Sequence, residues 1–203
     1  MRLRRVVSLV SVSAAVLLAP APAQAQDFGV MESAETINRG NFKFRLNPMI
    51  VFGKEGEDHE VGLAALLGYG FTSSFDLEGG VAIYDGVTFF GANAEVWLLK
   101  ERPFDFSVAA GLHGRTGDNT TDLTGIDLTF LASGPVSPRL ELYGGIDLAF
   151  EGIGDEADFK TVHLVPGIEY RINDSVDFVA EAGLALNDAA RHYISAGLAF
   201  YIR

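Results

Sequence analysis

The chain contains no cysteine, and only 15 of its 203 residues are lysine or arginine, against 27 aspartates and glutamates. Without cysteine there are no disulfide bonds, thiolate metal ligands or cysteine nucleophiles. The formal net charge of −12 disfavours nucleic acid as a partner, because an acidic surface repels phosphate groups. Intrinsic disorder is also disfavoured, since 48% of the residues are hydrophobic and only 21% are charged.

Long apolar runs are missing too, except near the amino terminus. Residues 1–5 are basic, residues 6–18 are uncharged and apolar, and residues 23–25 read Ala-Gln-Ala, the small-x-small pattern of a cleavage site. We therefore predict a cleaved signal peptide over residues 1–25, with an uncleaved membrane anchor as the alternative. No later run reaches the roughly 18 apolar residues that a membrane-spanning helix needs. If the exported chain enters a membrane, it must do so as strands.

Apolar and polar residues alternate from Asn41 onward, which is the period of a β-strand with two different faces. The alternation predicts ten strands, over residues 42–52, 60–71, 75–84, 87–99, 104–115, 123–132, 139–150, 160–172, 176–186 and 191–202. Their even number and their lengths of about ten to thirteen residues are typical of strands that cross a bilayer in a barrel. Eight or twelve strands are the alternatives.

The connections between these strands fall into two groups. Compact turns are predicted at residues 72–74, 100–103, 133–138 and 173–175. Longer and more acidic connections are predicted at residues 53–58, 116–122, 151–159 and 187–190, with Asp85-Gly86 as a short exception. Short periplasmic turns and longer external loops are the asymmetry of a membrane barrel. We therefore predict an all-β fold, a transmembrane antiparallel up-and-down β-barrel over residues 41–203, with a periplasmic lead-in at residues 26–40.

The two faces of the strands differ in charge. A basic residue at the bilayer midplane of a barrel costs about 2–4 kcal/mol, so the charged face must line the lumen. The lumen-lining candidates are Lys43, Arg45, Asp76, Glu78, Asn93, Glu95, Asp105, Asp127, Glu141, Asp147, His163, Glu169, Arg171, Asp177 and Glu181. A soluble lipid-carrier barrel would put the apolar face inward, and the alternation alone does not exclude it. Strand length and loop asymmetry favour the membrane barrel.

Tight hairpins fix which lumenal charges face each other. We expect the cross-strand pairs Arg171–Asp177, Asp76–Glu95, Glu141–Glu169 and Asp147–His163. Like charges that face each other need a cation, a shared proton or water. The excess of carboxylates therefore predicts a small, passive, weakly cation-selective pore for small solutes. The alternative is a closed structural or adhesive barrel that acts through its external loops, with its inner charges paired to one another. Inward glycines fit either an open path or close packing of the wall.

Catalysis and metal binding find little support in the sequence. His113 and His163 lie on the polar face, but no inward serine sits near them to complete a nucleophilic triad. A barrel enzyme of the lipid-hydrolase type is a remote third hypothesis, and we predict no catalytic residue. The acidic loops at residues 118–122 and 155–158 lack the spacing of a calcium loop. We predict no metal site and no cofactor.

The carboxyl-terminal strand, Ser-Ala-Gly-Leu-Ala-Phe-Tyr-Ile-Arg over residues 195–203, resembles the terminal signal read by the outer-membrane assembly machinery. Gly197, Phe200 and Ile202 carry the resemblance, and Arg203 departs from it because an aromatic residue usually ends such a chain. The whole mature domain resembles small porin-like outer-membrane β-barrel proteins of Gram-negative bacteria. Residues 35–42 and 68–77 also look like the opening of barrels grouped with phenol-degradation transport proteins. The resemblance implies an outer-membrane location, with lipid, lipopolysaccharide and the assembly machinery as partners.

Overall fold

A computed structural model describes residues 29–84, 86–101, 103–117, 123–152 and 158–203. It contains ten strands: β1 (Phe42–Val51), β2 (Glu60–Gly70), β3 (Phe75–Tyr84), β4 (Val87–Glu101), β5 (Phe104–Gly117), β6 (Leu123–Ser137), β7 (Leu140–Glu151), β8 (Asp158–Asn173), β9 (Val176–Ala185) and β10 (Tyr193–Ile202). The predicted signal peptide, the acidic loop 118–122, most of the acidic loop 155–158 and Asp85 lie outside the described residues.

The strands form one closed antiparallel barrel, in which each strand pairs with its neighbours in sequence and β1 pairs with β10. The predicted ten-stranded up-and-down barrel is confirmed. The register also confirms the four expected cross-strand pairs, Asp76–Glu95, Glu141–Glu169, Asp147–His163 and Arg171–Asp177. Over the same described residues, no helix is long and apolar enough to cross a membrane.

One predicted turn is wrong in its extent. The sequence predicts a compact turn at residues 133–138, but β6 continues to Ser137 and leaves only Pro138 and Arg139 in the turn. The pairing of β6 with β7 shifts between Pro135 and Ser137. Proline lacks the N–H that a sheet ladder requires, so a bulge accommodates it and the strand resumes. The turn-like composition of this segment therefore disguises a strand end.

Exposure alternates along the strands, as in β1, where every second residue is exposed. The outer surface is apolar, with residues such as Val61, Leu67 and Ile83 more than half exposed. Exposed large hydrophobic residues occur on all ten strands, whereas soluble monomers rarely expose large contiguous apolar patches. The charged face lies inward, as expected for a barrel surrounded by lipid.

Several inward glycines lie directly opposite tyrosines on the neighbouring strand. The pairs are Gly62 with Tyr84, Gly167 with Tyr143, and Gly183 with Tyr193. A Cβ atom on Gly183 would lie 1.7 Å from the Tyr193 ring, so each ring occupies the space that its glycine leaves. Of the two hypotheses for the inward glycines, close packing of the wall is correct at these three positions.

The segment before β1 folds back into the barrel. Gly40, with φ of 83°, and the bridge between Arg39 and Gly70 mark its entrance at the end of the barrel where β1 begins, which we call the mouth. From there the chain reaches the wall residue Glu181 at Gly29. Residues 30–34, 36 and 37 are buried. We call residues 29–37 the strap. The strap corrects the expected periplasmic lead-in at residues 26–40, because the described part of that segment up to residue 37 lies inside the lumen.

Candidate functional site

The structure places every predicted lumen-lining residue on the inner parity of its strand. The buried ones are Lys43, Arg45, Asp76, Glu78, Glu95, Asp147, His163, Asp177 and Glu181. Asn93, Asp105, Asp127, Glu141 and Glu169 are half-buried, and Arg171 is exposed at the mouth. The strap also brings Glu32 and Glu35, which were not among the predicted residues.

The centre of the lumen holds an ion-pair network between β1, β3 and the strap. Arg45 contacts Glu78 through Nη2, which also lies 3.5 Å from Oε2 of Glu32. The Lys43 ammonium lies 3.5 Å from Glu32 and 3.7 Å from Glu78. Because each of these buried charges faces opposite charges, the desolvation cost of burying them is offset. Both basic side chains of β1 are therefore engaged by carboxylates.

Wall side chains also bind the backbone of the strap near its inner end. Arg45 Nη1 donates to the carbonyl oxygens of Val30 and Met31, at 2.8 and 2.7 Å. The carboxylate of Glu181 accepts the N–H groups of the same two residues at 2.8 and 2.6 Å. It also accepts the hydroxyls of Tyr143 and Tyr193 at 2.9 and 2.8 Å. Four donors thus satisfy a carboxylate that is buried within the barrel.

Two more wall groups hold the strap closer to the mouth. The N–H of Ala34 donates to Ser133 Oγ at 3.1 Å, and the N–H of Ile37 donates to Asp76 at 2.6 Å. Bonds to the backbone fix the path of a segment irrespective of its side chains. The polar wall residues therefore act as anchors for an extended chain.

Apolar contacts complete the seat of the strap. Val30 and Ala34 pack with Leu131 of β6 and Val165 of β8. Met31 packs with Tyr143 of β7, Val179 of β9 and Ala199 of β10. Burial of these side chains stabilises the strap in the lumen, since apolar surface removed from water contributes about 25 cal/mol per Å².

Two glycines of β2 allow the strap to approach the wall closely. A Cβ on Gly70 would lie 2.3 Å from the carbonyl oxygen of Ile37 and 2.4 Å from that of Asn38. A Cβ on Gly68 would lie 2.4 Å from Cδ1 of Ile37. At Gly70 the obstructing atoms are backbone oxygens, so a larger residue there would displace the strap. The glycines of β2 thus leave the space that the strap occupies against the wall.

The strap divides the lumen into separate spaces. Beside its inner end lies a cavity of about 70 Å³, bordered by Glu32, His113, Asp127 and Asp147 among others. His113 Nδ1 lies 2.7 Å from Asp127, and Thr129 donates to Asp147 at 2.7 Å. Two larger spaces, of about 230 and 240 Å³, open at the mouth. Polar wall residues line both the inner cavity and the spaces at the mouth, and the strap lies between these spaces.

Carboxylates gather at the mouth, where Glu35, Asp105 and Glu141 have oxygens within 4.8 Å of one another. Although Glu35 is exposed to the mouth, partial desolvation and then the negative charges of Asp105 and Glu169 raise its pKa above the ordinary value. The nearby cations Arg171 and Lys100 lower that pKa by less. The mouth is therefore acidic, and the strap contributes to that acidity.

The residues considered for catalysis have other partners. Asp147 accepts from Thr129, and His163 Nε2 lies 2.9 Å from the carbonyl oxygen of Arg191. The hydroxyl of Ser195 donates to the carbonyl of Pro48 at 2.9 Å. Within the part of the chain that the structure describes, these groups do not assemble into a nucleophile, a base and an orienting acid.

Sequence reasoning missed the strap and therefore its partners Ser133, Tyr143 and Tyr193. One signal was available, because residues 30–37 carry Val, Met, Ala and Ile in a segment that a periplasmic lead-in would leave in water. Apolar residues in such a segment indicate burial. The register-based pairs were found because they depend only on turn lengths.

A model of the family described as outer membrane protein beta-barrel domain matches residues 11–199. No curated protein sequence matches the chain. The COG4313 outer membrane channel from Pseudomonas putida F1 is similar in structure, with TM-score 0.54, 8% identity, and coverage of 83% of this chain and 98% of that one. The translocator domain of the autotransporter NalP from Neisseria meningitidis has a TM-score of 0.53 and 11% identity, and the match covers 79% of this chain and 87% of that one. The KdgM porin has a TM-score of 0.50 and 12% identity, and the match covers 79% of this chain and 99% of that one. These likenesses show the barrel fold.

Proposed function

Since the chain belongs to the outer membrane protein beta-barrel family, we propose that it is a small outer-membrane pore for passive passage of small solutes, with a weak preference for cations. The proposal rests on one observation, which is that carboxylates outnumber basic groups on the inner face of a closed barrel. Of the predicted lining residues, only Lys43, Arg45 and Arg171 are basic apart from a histidine. A lumen lined by acidic side chains attracts cations and repels anions.

The two basic residues of β1 strengthen this preference in one respect. Lys43 and Arg45 are paired with Glu32 and Glu78, so their charges are compensated within the network. Asp127 and Glu141 lie elsewhere on the wall, beside the inner cavity and at the periplasmic mouth. The excess of negative charge therefore lies along the path that an ion would take.

Membrane partners follow from the same proposal. The apolar outer face would contact outer-membrane lipid and lipopolysaccharide, and Gly197, Phe200 and Ile202 of β10 would carry the signal for the assembly machinery. Gly197 faces inward against Asn47, while Phe200 stacks on Phe44 at the outer surface. Replacing Phe200 by serine should reduce the amount of folded protein in outer membranes, as measured by heat-modifiable migration in gels. Normal insertion of that variant would contradict this assignment.

Selectivity is tested by the reversal potential of the refolded protein in a planar bilayer under a KCl gradient. The double variant Asp127→Asn/Glu141→Gln should move the reversal potential away from the K⁺ equilibrium value while retaining the conductance steps. Glu55→Gln in the exposed loop before β2 is the matched control and should leave the potential unchanged. Equal potentials for all three proteins would contradict selection by the lumenal carboxylates.

A closed structural or adhesive barrel is the second candidate, and the strap is the observation that favours it. The strap separates the inner cavity from the spaces at the mouth. In a closed barrel of this kind, substitutions in the wall would leave binding to surfaces unchanged, and substitutions in the external loops would alter it.

A further inference from the structure

We propose that the strap is a gate, which closes the lumen when seated and opens it by leaving through the periplasmic mouth. This inference rests on the proposed pore function. The strap controls the passage, leaves towards the periplasm, and is held in the closed position by side chains of the wall.

The seated strap fills the middle of the barrel. Met31 and Ala34 are both fully buried. Ala34 packs with Leu131 of β6, and the carbonyl oxygen of Met31 accepts from Arg45 of β1, which lies five strands from β6 around the ring of ten. An extended chain with contacts on both sides obstructs the path between the inner cavity and the mouth. The seated state is therefore the closed state of the pore.

The strap is held differently from the strands of the barrel. Its bonds to the wall at Val30, Met31, Ala34 and Ile37 run to side chains. Among the described residues, the bridge that joins this segment to the sheet lies just outside the strap, between Arg39 and Gly70. Withdrawal would therefore break side-chain contacts and leave the ten-stranded ladder intact. The barrel wall closes through β1 and β10 without the strap.

The connection to β1 determines the direction of withdrawal. The strap joins the wall through a turn in which the N–H of Asn41 donates to the carbonyl oxygen of Asn38 at 3.0 Å. Within this turn Gly40 has φ of 83°, and none of the described atoms lies within 4 Å of the position of a Cβ. The turn sits at the periplasmic end, where β1 begins. A segment tethered there can leave the lumen only towards the periplasm without crossing the barrel.

Departure of the strap would open a polar path. Glu32 would leave with it, and the backbone partners of Arg45, Glu181 and Asp76 would be replaced by water. The lumen would then gain a space as wide as an extended polypeptide, which joins the inner cavity to the mouth. The wall anchors of the closed state would become lining residues of the open state.

A disulfide between the strap and the wall tests the gate directly, because the native chain has no cysteine. The variant Ala34→Cys/Ser133→Cys introduces one thiol on the strap and one on the wall. These two residues are neighbours in the native protein, where the Ala34 N–H group donates to Ser133 Oγ at 3.1 Å. The matched control is Ala64→Cys/Ala82→Cys, which links two buried, directly paired residues of β2 and β3. Conductance is recorded for each protein oxidised and then after reduction.

We expect the oxidised strap–wall variant to be almost silent. After reduction, conductance steps should be at least roughly tenfold more frequent than before it. The control should conduct equally in both states. Equally frequent conductance steps from the oxidised and the reduced strap–wall variant would overturn the gate while leaving the pore in place.

A second variant distinguishes a failure of the gate from a failure of the pore. Gly70→Ala puts a Cβ against the backbone of Ile37 and Asn38, so it should unseat the strap and raise the open probability roughly tenfold or more. Gly144→Ala, with none of the described atoms near its Cβ position, is the control.

Labelling reports unseating independently of conductance. The substitution Ala34→Cys is added to the Gly70→Ala protein, and a water-soluble maleimide should react with the new thiol faster than in the same substitution made alone. Equal, slow labelling of the two proteins would overturn the role of Gly70 in seating the strap. A folded Gly70→Ala/Ala34→Cys protein that is labelled readily but remains silent would overturn the pore, and with it the gate.

Discussion

The backbone N–H of Ile37 donates a 2.6 Å hydrogen bond to the carboxylate of Asp76. Asp76 faces Glu95 across β3 and β4, as the sequence predicted, but the two carboxylates are not left facing each other alone. Glu95 accepts a hydrogen bond from Ser107, while Asp76 binds the strap. A like-charged pair that suggested a cation in the lumen is thus, in part, an anchor for the protein's own chain.

Removing this anchor should favour the open barrel. In Asp76→Ala the N–H of Ile37 loses its charged acceptor, and bonds to charged groups contribute about 1.5–3 kcal/mol. We expect the open probability in planar bilayers to rise roughly tenfold or more. The control Glu95→Gln changes the opposing carboxylate but leaves the bond to Ile37 in place, and its open probability should equal that of the parent protein. An unchanged open probability in Asp76→Ala would show that this contact does not hold the strap.

Glu181 should be the most sensitive polar position in the lumen. Glu181→Ala leaves the N–H groups of Val30 and Met31 and two tyrosine hydroxyls without their acceptor, so we expect a loss of about 3 kcal/mol or more in the free energy of unfolding. Tyr143→Phe removes one of the four bonds and should cost about 1 kcal/mol. Urea unfolding in detergent or liposomes, followed by tryptophan fluorescence, measures both. Equal losses in the two variants would contradict the central role of the carboxylate.

The tyrosine–glycine pairs predict a stability effect that is separate from the strap. In Gly183→Ala the new Cβ meets the Tyr193 ring, so overpacking should lower the free energy of unfolding by about 1–3 kcal/mol. Gly144→Ala, which has open space around its Cβ position, should change it little. The comparison uses the same urea unfolding measurement. Equal stabilities would contradict the view that the ring fills the space above Gly183.

Acidification should favour closure through Glu35. Its pKa is raised in the seated strap by desolvation first and by Asp105 next, so the neutral form is favoured there. The charged groups around it are Asp105, Glu141, Glu169, Arg171 and Lys100. Glu35 therefore stabilises the seated state fully at pH values below the ordinary glutamate pKa of about 4.3. This stabilisation is lost as the pH rises through the raised pKa of the seated state.

The open probability should therefore fall as the pH is lowered from neutral into the window just above that ordinary value. Glu35→Gln, which is neutral throughout, should show a lower open probability at neutral pH and a flatter pH profile than the parent protein. Recordings of both proteins at several pH values provide the test. A profile that is equally steep in Glu35→Gln would assign the pH dependence to other groups.

Strand alternation and turn length were sufficient to predict the barrel, its strand number and four cross-strand pairs, because side-chain direction in a strand has a strict period of two. The path of residues 29–37 was not predictable in this way, since these residues belong to none of the ten strands and show no strict alternation. The role of Glu181 depends on that path. Charges could thus be placed on the inner face from sequence, but their partners required the structure.

The central claim is that ions pass through the lumen when the strap is unseated. The most direct measurement is a planar-bilayer recording of the folded Gly70→Ala protein under a KCl gradient. The account predicts frequent discrete steps with a reversal potential displaced towards the K⁺ equilibrium value. Silence from this protein, with its strap shown by maleimide labelling to be out of the lumen, would contradict the account and favour a closed barrel that acts through its loops.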